Sequence, residues 1–346
     1  NLVGNMTTPS FAQRLATFFA SFQSLIDKPT TTPTASSIPI ADANGDIDSG
    51  WIKDATASVK GVVELATTAE TSAGQDATRA VTPSGLEYHP SILISDCVYN
   101  GVNLETKFAS EIASYSNVWA WVKARAQAGN FTGLHVGDYV PFTLGAETIH
   151  SQIAGIDTYY RTTDSELGHH IDFISRDCMA TLRQWNTTNV NNGSAANPSP
   201  YMVSALKATL DGLVSSLPAG LQSVIKTKRF LLESRYSSGS TLTDSTSFAW
   251  NDMGKLWVPT EYEVFGNIVM GTKPYAAMQG VQYPIFANSY KSRIKGQGHQ
   301  GPRYNWWLAT VGSGNSAGAC GVDGSGRPGN YGASNSCGVP LCFRIA

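Results

Sequence analysis

Charge is scarce in this chain. Lys, Arg, Asp and Glu supply 14% of its 346 residues, against about 25% in ordinary globular proteins. The 24 basic and 26 acidic side chains leave a formal net charge of −2. That balance excludes the basic footprint demanded by nucleic acid or an anionic membrane surface. No apolar run approaches the roughly 18 residues of a membrane span, and no charged leader followed by an apolar stretch opens the chain. Neither nucleic-acid binding nor membrane insertion is expected. Cysteine is sparse as well: Cys97, Cys178, Cys320, Cys337 and Cys342, odd in number and never in a C-x-x-C pair. A disulfide framework or a zinc knuckle is therefore not expected, and the thiols read as small buried hydrophobes from a cytoplasmic folding compartment. The sequence has no P-loop, no G-x-S-x-G elbow and no H-E-x-x-H helix, so the common nucleotide and hydrolase signatures are missing.

Hydrophobic residues (42%) and aromatics (10%) are sufficient for a sizeable core, and the length allows two or three units. The core-forming residues are unevenly placed. Between Asp27 and Leu86 the only aromatic is Trp51, whereas from Tyr88 onward aromatics are dense, so a boundary falls near residue 90. Ahead of the poor stretch, Pro9 and Ser10 precede Phe11, Leu15, Phe18, Phe22 and Leu25, spaced 4, 3, 4 and 3, and Pro29 follows. This a/d spacing predicts an amphipathic helix. Two heptads are marginal alone, so the stripe must be buried against copies of itself or against a neighbouring domain. In residues 31–88 short apolar pieces (Ile38-Pro39-Ile40, Val62-Val63-Glu64-Leu65, Ala80-Val81) are separated by Asn44-Gly45 and Ser49-Gly50 turn signals. The mechanics fit an extended stalk with short β segments paired between chains, or a flexible linker.

The segments IPIADANGDIDSGWIKD (38–54) and ASVKGVVELATTAETSAGQDATRAVTPSGL (57–86) resemble the collar and shaft repeats of bacteriophage tail fibres. The Lys-Gly-Val-Val-Glu-Leu-Ala and Arg-Ala-Val-Thr-Pro pieces are the specific part of that resemblance. It implies a homotrimer with an interwoven β shaft, and it supplies partners for the helix. The expected organisation is a trimeric coiled coil over 1–30, a collar and shaft repeat over 31–90, and a head over 91–346.

The head reads as α+β. The pattern predicts a helix over about 111–128 with Ile112, Tyr115, Trp119 and Val122 on one face, and a second helix over 201–213. Strand-like pieces occupy 138–144, 149–156, 170–175 and 228–233. Thr260 and Glu263 form a capping box that opens a short helix. Trp306-Trp307-Leu308 starts a strand, and Val339, Leu341, Phe343 and Ile345 alternate as a half-buried final strand. The run between them is rich in Gly, Ser, Asn and Ala and carries only Asp323 and Arg327 as charges. Its backbone must be paired, and a small antiparallel sheet with polar side chains facing water meets that need.

HHIDFISRDCM, KRFLLESRY, KLWVPTEYEVFG, YPIFANSYKSRIKGQG, YNWWLATVGSGNS and VPLCFRIA, which together span most of 134–346, resemble a domain of gut-phage and bacterial surface proteins. The resemblance implies a C-type-lectin-like fold. Several members are variable proteins of diversity-generating retroelements, which randomise adenine-containing codons near the gene's 3′ end. Residues 309–338 are almost entirely of types that a randomised AAC codon yields, bracketed by hydrophobic positions; an ordinary Gly/Ser-rich loop has a similar composition.

Other constellations favour structural readings. Trp250-Asn251-Asp252 resembles the calcium tripeptide of sugar-binding lectins, but the Glu-Pro-Asn or Gln-Pro-Asp partner is missing and calcium needs six to eight oxygens. Trp250 is expected in the core, with Asn251-Asp252 in a turn. Adjacent His169 and His170 on a strand point to opposite faces and do not grip one ion with Asp172. Glu261 and Glu263 could be a glycosidase pair, yet the capping box accounts for Glu263 and the first helical turn for Glu261. Neither catalytic residue, metal nor cofactor is expected.

Taken together, the residues and resemblances predict a virion receptor-binding protein, assembled in the host cytoplasm. It would be joined to other tail or baseplate proteins and grip a protein or glycan receptor on the bacterial surface. The chain opens on Asn1 rather than Met, which leaves room for an attachment region upstream. The expected contact surface is 304–337, with Tyr304, Asn305, Asn315, Arg327, Asn330, Tyr331 and Asn335 as candidate contacts. Tyr offers stiff amphipathic area and Asn adaptable hydrogen bonds. The alternatives are a depolymerase tip and a purely structural fibre or adaptor.

Overall fold

In the computed structural model the described residues are 10–26, 29–34, 37–52, 61, 63–73, 75–76, 78–86, 101–238, 247–273, 280–287 and 290–346. Pro9, Val62, Cys97 and the side chain of Leu25 lie outside them. The chain mixes helix (25%) and strand (26%) and divides into two compact units, Asn1–His89 and Pro90–Ala346. No helix among the described residues is long and apolar enough to cross a membrane.

The first unit opens with α1 (Phe11–Ile26). Ser10 and Gln13 start it reciprocally: the Gln13 amide donates to Ser10 Oγ (3.2 Å) and the Ser10 amide to Gln13 Oε1 (2.8 Å). Its apolar stripe is uncovered within the single chain, with Phe11 80% and Phe18 61% exposed. Beyond it, β1 (Pro29–Thr30) pairs in parallel with β2 (Ile38–Pro39). The Asn44-Gly45 turn forms, with Asp42 accepting amides from Asn44 and Asp46 and Gly45 at φ 91°. Leu65 bridges Ala80 in parallel, flanked by two short helices, α2 (Thr68–Ala73) and α3 (Pro83–Leu86). Arg79 gathers Glu64, Glu70 and Asp76. These described β segments pair within the single chain.

All buried hydrophobic side chains among the described residues belong to the second unit, from Leu104 onward. Its helical entry is α4 (Leu104–Lys107), α5 (Ala109–Ile112) and α6 (Val118–Gln127). The single helix expected over 111–128 is broken because Asn117, in an extended conformation, caps α6 by accepting the Ala120 amide at 3.0 Å. Trp119 and Val122 are buried, whereas Tyr115, in the break, is exposed. The other expected helix is broken the same way. Tyr201–Val203 is a 3₁₀ turn, Ser204 caps α7 (Ala205–Leu213), and the short α8 (Ala219–Gln222) follows.

Five antiparallel strands form the main sheet, in the order β3 (Tyr139–Leu144), β4 (Glu147–Ile156), β5 (Ile171–Ser175), β16 (Cys342–Ile345), β7 (Ile225–Lys226). Separately, β6 (Arg183–Gln184) pairs with β15 (Ser336–Cys337). The C-terminal strand is thus interior to the main sheet, and all four of its residues are buried, not alternately exposed. One face carries Phe142, Phe173 and Phe343 around Trp119 of α6, with ring centroids 5.7–6.0 Å from the indole. The other carries Asp172 directly opposite Arg344, joined at 2.7 Å by two parallel hydrogen bonds.

Against that charged face pack β8 (Arg229–Glu233), β9 (Phe248–Asp252) and α9 (Glu261–Phe265). Trp250, expected in the core, is half-buried on β9, and Asn251-Asp252 continue that strand rather than turning. The capping box of Thr260 and Glu263 is present. Glu263 also accepts from the Tyr159 hydroxyl (2.7 Å) and from Lys228. The Lys228 ammonium lies 4.8–5.4 Å from the ring centroids of Phe230, Tyr159, Trp257 and Tyr283, so cation–π attraction offsets part of its desolvation. Cys178, Cys320, Cys337 and Cys342 are free and buried, and burial pushes the Cys178 and Cys337 thiols up to about 12.

Removing one partner of a buried pair strands the other charge. Arg344→Met is therefore expected to cost about 3–5 kcal/mol in urea unfolding, and Asp172→Leu added to it should restore part of that loss.

His170, fully buried, accepts the Tyr159 amide at Nε2 (3.1 Å), while Nδ1 faces the Gly168 carbonyl (3.0 Å). This arrangement suits the neutral ring. Desolvation depresses its pKa below 6.5, outweighing the pull of Asp172. The unfolded chain therefore takes up the proton first as pH falls. The stability contribution is present above about pH 6.5 and is lost below it. Thermal melts from pH 7.5 to 5 should show that decline, flattened in His170→Asn.

Candidate functional site

The Gly-rich run folds as a three-stranded antiparallel sheet, β12 (Trp306–Val311), β13 (Gly318–Val322) and β14 (Pro328–Gly332). Small residues allow this because side chains of the adjoining strand crowd the middle one. A Cβ on Gly321 would meet the Tyr331 ring at 2.9 Å, and one on Gly318 would meet Asn330 Oδ1 at 2.2 Å. The middle strand is entirely buried, which corrects the expectation of a sheet whose polar side chains face water. Polar exposure is confined to the turns.

Five of the seven candidate contacts fall into two groups at opposite ends of β13, which spans roughly 15 Å at a strand rise of about 3.3 Å per residue. At one end the turn over 312–317 and the turn over 332–335 meet through the Ala333 amide and the Ala317 carbonyl (2.8 Å). Asn315 and Asn335 are exposed there. Asn315 Oδ1 accepts the Ala317 amide (2.8 Å), so this side chain also shapes its own turn. At the other end lie Tyr304, Asn305 and Arg327. Tyr304 sits on β11 (Arg303–Tyr304), paired with β10 (Lys295–Gly296), and is exposed. Asn305 Oδ1 accepts the Gly324 amide at 2.9 Å and fastens the turn over 323–327. In that turn Asp323 accepts the amides of Ser325 and Arg327.

Asn330 and Tyr331 lie between the ends and are half-buried, so neither is the free contact expected of it. Tyr331 packs edge-on against Trp307, centroids 6.0 Å apart, and burial pushes its phenol up to about 12. Asn330 lies over Gly312 and Gly318, and its Oδ1 is buried without a hydrogen-bond partner.

Three residues that sequence reasoning did not single out hold these turns from beneath. Asn191, fully buried, donates Nδ2 to the carbonyls of Asn315 (2.6 Å) and Gly318 (2.5 Å). Asn189 Oδ1 accepts from the Ser334 amide (3.0 Å) and hydroxyl (2.8 Å). Arg235, buried, reaches the Gly312 carbonyl at 3.0 Å while its Nε is held by Glu233 at 2.9 Å. The only sequence signal was an Asn-rich stretch far upstream and an Arg inside KRFLLESRY; neither has a spacing that ties it to residue 312.

The other constellations are occupied structurally. His169 turns outward to Asp157 (2.6 Å) while His170 points into the core. Glu261, fully buried, accepts the Met270 (2.7 Å) and Gly271 (2.9 Å) amides. Desolvation raises its pKa against the pull of those bonds. Among the described residues no group of three His, Cys, Asp or Glu side chains is placed to hold a metal ion. Set against known proteins, the chain matches no family model, no curated protein and no solved structure.

Asn191→Ala strips a buried donor from two turn carbonyls. The expected cost is about 1–3 kcal/mol, with faster amide hydrogen exchange over 312–318 and little change in the main sheet, measured by exchange mass spectrometry.

Proposed function

We propose that this chain is the receptor-binding protein of a bacteriophage tail fibre. α1 is its trimerisation element, the rest of the first unit belongs to a shaft, and the second unit is a C-type-lectin-like head that grips the bacterial surface. The observation that carries the reading is the pair of exposed polar turn clusters seated on a buried, over-determined backbone. Such a surface changes its side chains without disturbing the fold beneath, which is what a recognition surface requires. The collar and shaft resemblance and the uncovered stripe of α1 support the fibre and the trimer. Further apolar side chains of the first unit, among them Ile38, Ile47 and Leu65, are exposed in the single chain and are suited to cover by sister chains. The head reading draws on the motif resemblance and the mixed α+β architecture. Three heads on one fibre would turn weak single-site affinity into avidity. Glu261 and Glu263 give a depolymerase no support, because both carboxylates are buried and spent on amides, Lys228 and Tyr159.

Light scattering should give three times the 36.9 kDa chain mass, and Phe18→Glu, which places a charge in the stripe, should reduce it to one chain. The native protein should bind intact host cells. Tyr304→Ala with Asn335→Ala, one exposed change at each end of β13, should weaken that binding at least tenfold, about 1.4 kcal/mol per site. Equal binding by both proteins would move recognition off this surface. No binding by the native trimer would favour a structural adaptor.

A further inference from the structure

The turn over 323–327 forms one wall of an open groove of about 530 Å³, a size that seats an oligosaccharide-sized ligand. Its lining among the described residues includes Tyr290, Arg293, Arg303, Ser325, Arg327 and Pro328, and holds no acidic side chain. Three guanidinium-bearing residues therefore share one groove in a protein whose net charge is −2.

The two exposed arginines are not spent on internal partners. Arg303 and Arg327 are exposed, and neither guanidinium has a hydrogen bond or ion pair among the described residues. Asp323, the acid nearest in sequence, already accepts the Ser325 (2.8 Å) and Arg327 (2.9 Å) amides. Arg293 is half-buried, lies 4.8 Å over the Phe265 ring and donates Nη2 to the Phe286 carbonyl at 3.5 Å, while its buried Nε has no hydrogen-bond partner. Desolvation lowers its pKa, and a counter-charge there would oppose that shift. The walls are built rather than incidental. The Trp306 indole donates to the Arg293 carbonyl at 2.8 Å. Gly326, at φ 83°, lies so close to the Tyr290 carbonyl that a Cβ there would approach it to 2.8 Å.

We infer that this groove binds an acidic polysaccharide, its carboxylates taken by Arg303, Arg327 and Arg293 and a sugar face laid on Tyr290. A guanidinium fork matches a carboxylate in two parallel hydrogen bonds. A polymer with repeated carboxylates engages several arginines along one open groove, which a lone small anion does not. The exposed ring of Tyr290, 59% accessible, offers a flat amphipathic face beside them. Tyr304 is not part of the groove, since alternation along β11 turns it away from Arg303. A single aromatic and an acidic chain argue against single-stranded nucleic acid, which tracks a basic channel with successive stacking rings. This assignment deepens the receptor-binding reading and rests on it for the ligand's source, the host surface.

The test uses the full chain with polygalacturonate, alginate and polysialic acid as carboxylated probes, dextran as the neutral one and oligo(dT) as the nucleic acid. At least one carboxylated polymer should bind in a salt-sensitive manner, and dextran should not. Arg303→Ala with Arg327→Ala, both exposed and checked by an unchanged melting temperature, should lose at least tenfold. Arg303→Lys alone should lose less than Arg303→Ala. Failure of all three polymers, undiminished binding by the double variant, or equal affinity for oligo(dT) would overturn the assignment. Cell binding run in parallel separates the two readings. Cells bound without any acidic polymer bound leave the receptor reading standing and this one refuted; groove-dependent polymer binding without cell binding does the reverse.

Discussion

Asp172 and Arg344 face each other across the interior of the main sheet, one on β5 and the other on the strand that ends the chain. Neither charge reaches water, so each is tolerable only while the other is in place. Burial alone would raise the Asp172 pKa, but the Arg344 charge and its hydrogen bonds hold the carboxyl below its usual range. The Tyr283 hydroxyl, which also bonds Asp172 (3.1 Å), lies against Lys228, and Lys228 binds Glu263 of the capping box. One continuous polar chain thus runs from the sheet to the start of α9. Non-polar packing alone would permit β16 to slip, whereas a register slip here would bury two unpaired charges.

The seating of β16 positions the Gly-rich sheet. Trp257 and Cys342 exchange backbone hydrogen bonds, and just upstream the Trp307 amide meets the Gly338 carbonyl. The three-stranded sheet therefore leaves directly from the interior of the fold. Its turns are then fastened by Asn191, Asn189 and Arg235, all brought from elsewhere in the chain. Small residues admit the close approach of Asn330 and Tyr331, and the polar side chains left over sit at the two ends of β13. Rigid beneath and polar at the tips, the region separates folding from recognition.

Much of the architecture was legible in local chemistry. The capping box at Thr260, the Asn44-Gly45 turn, the helix after Ser10 and four of the main strands follow from short-range patterns. The errors share physical causes. Periodicity ran through Asn117 and Ser204, where a side-chain cap begins a separate helix. The final strand read as half-buried because the partner of its one charged residue, Arg344, lies 172 residues away. Tyr331 and Asn330 read as free contacts because composition does not report which glycines they cover.

The sequence by itself determined where the aromatic core begins, which segments are helical or extended, and that residues 304–337 would be polar and turn-rich. These are properties of neighbours along the chain. Tertiary structure alone decided that the last strand is interior, that five of the seven candidate contacts divide between two ends of one buried strand, and that Arg293, Arg303 and Arg327 meet in one groove. Each of those depends on pairings between residues distant in sequence, whose energies lie in burial and in shared hydrogen bonds that no local pattern encodes.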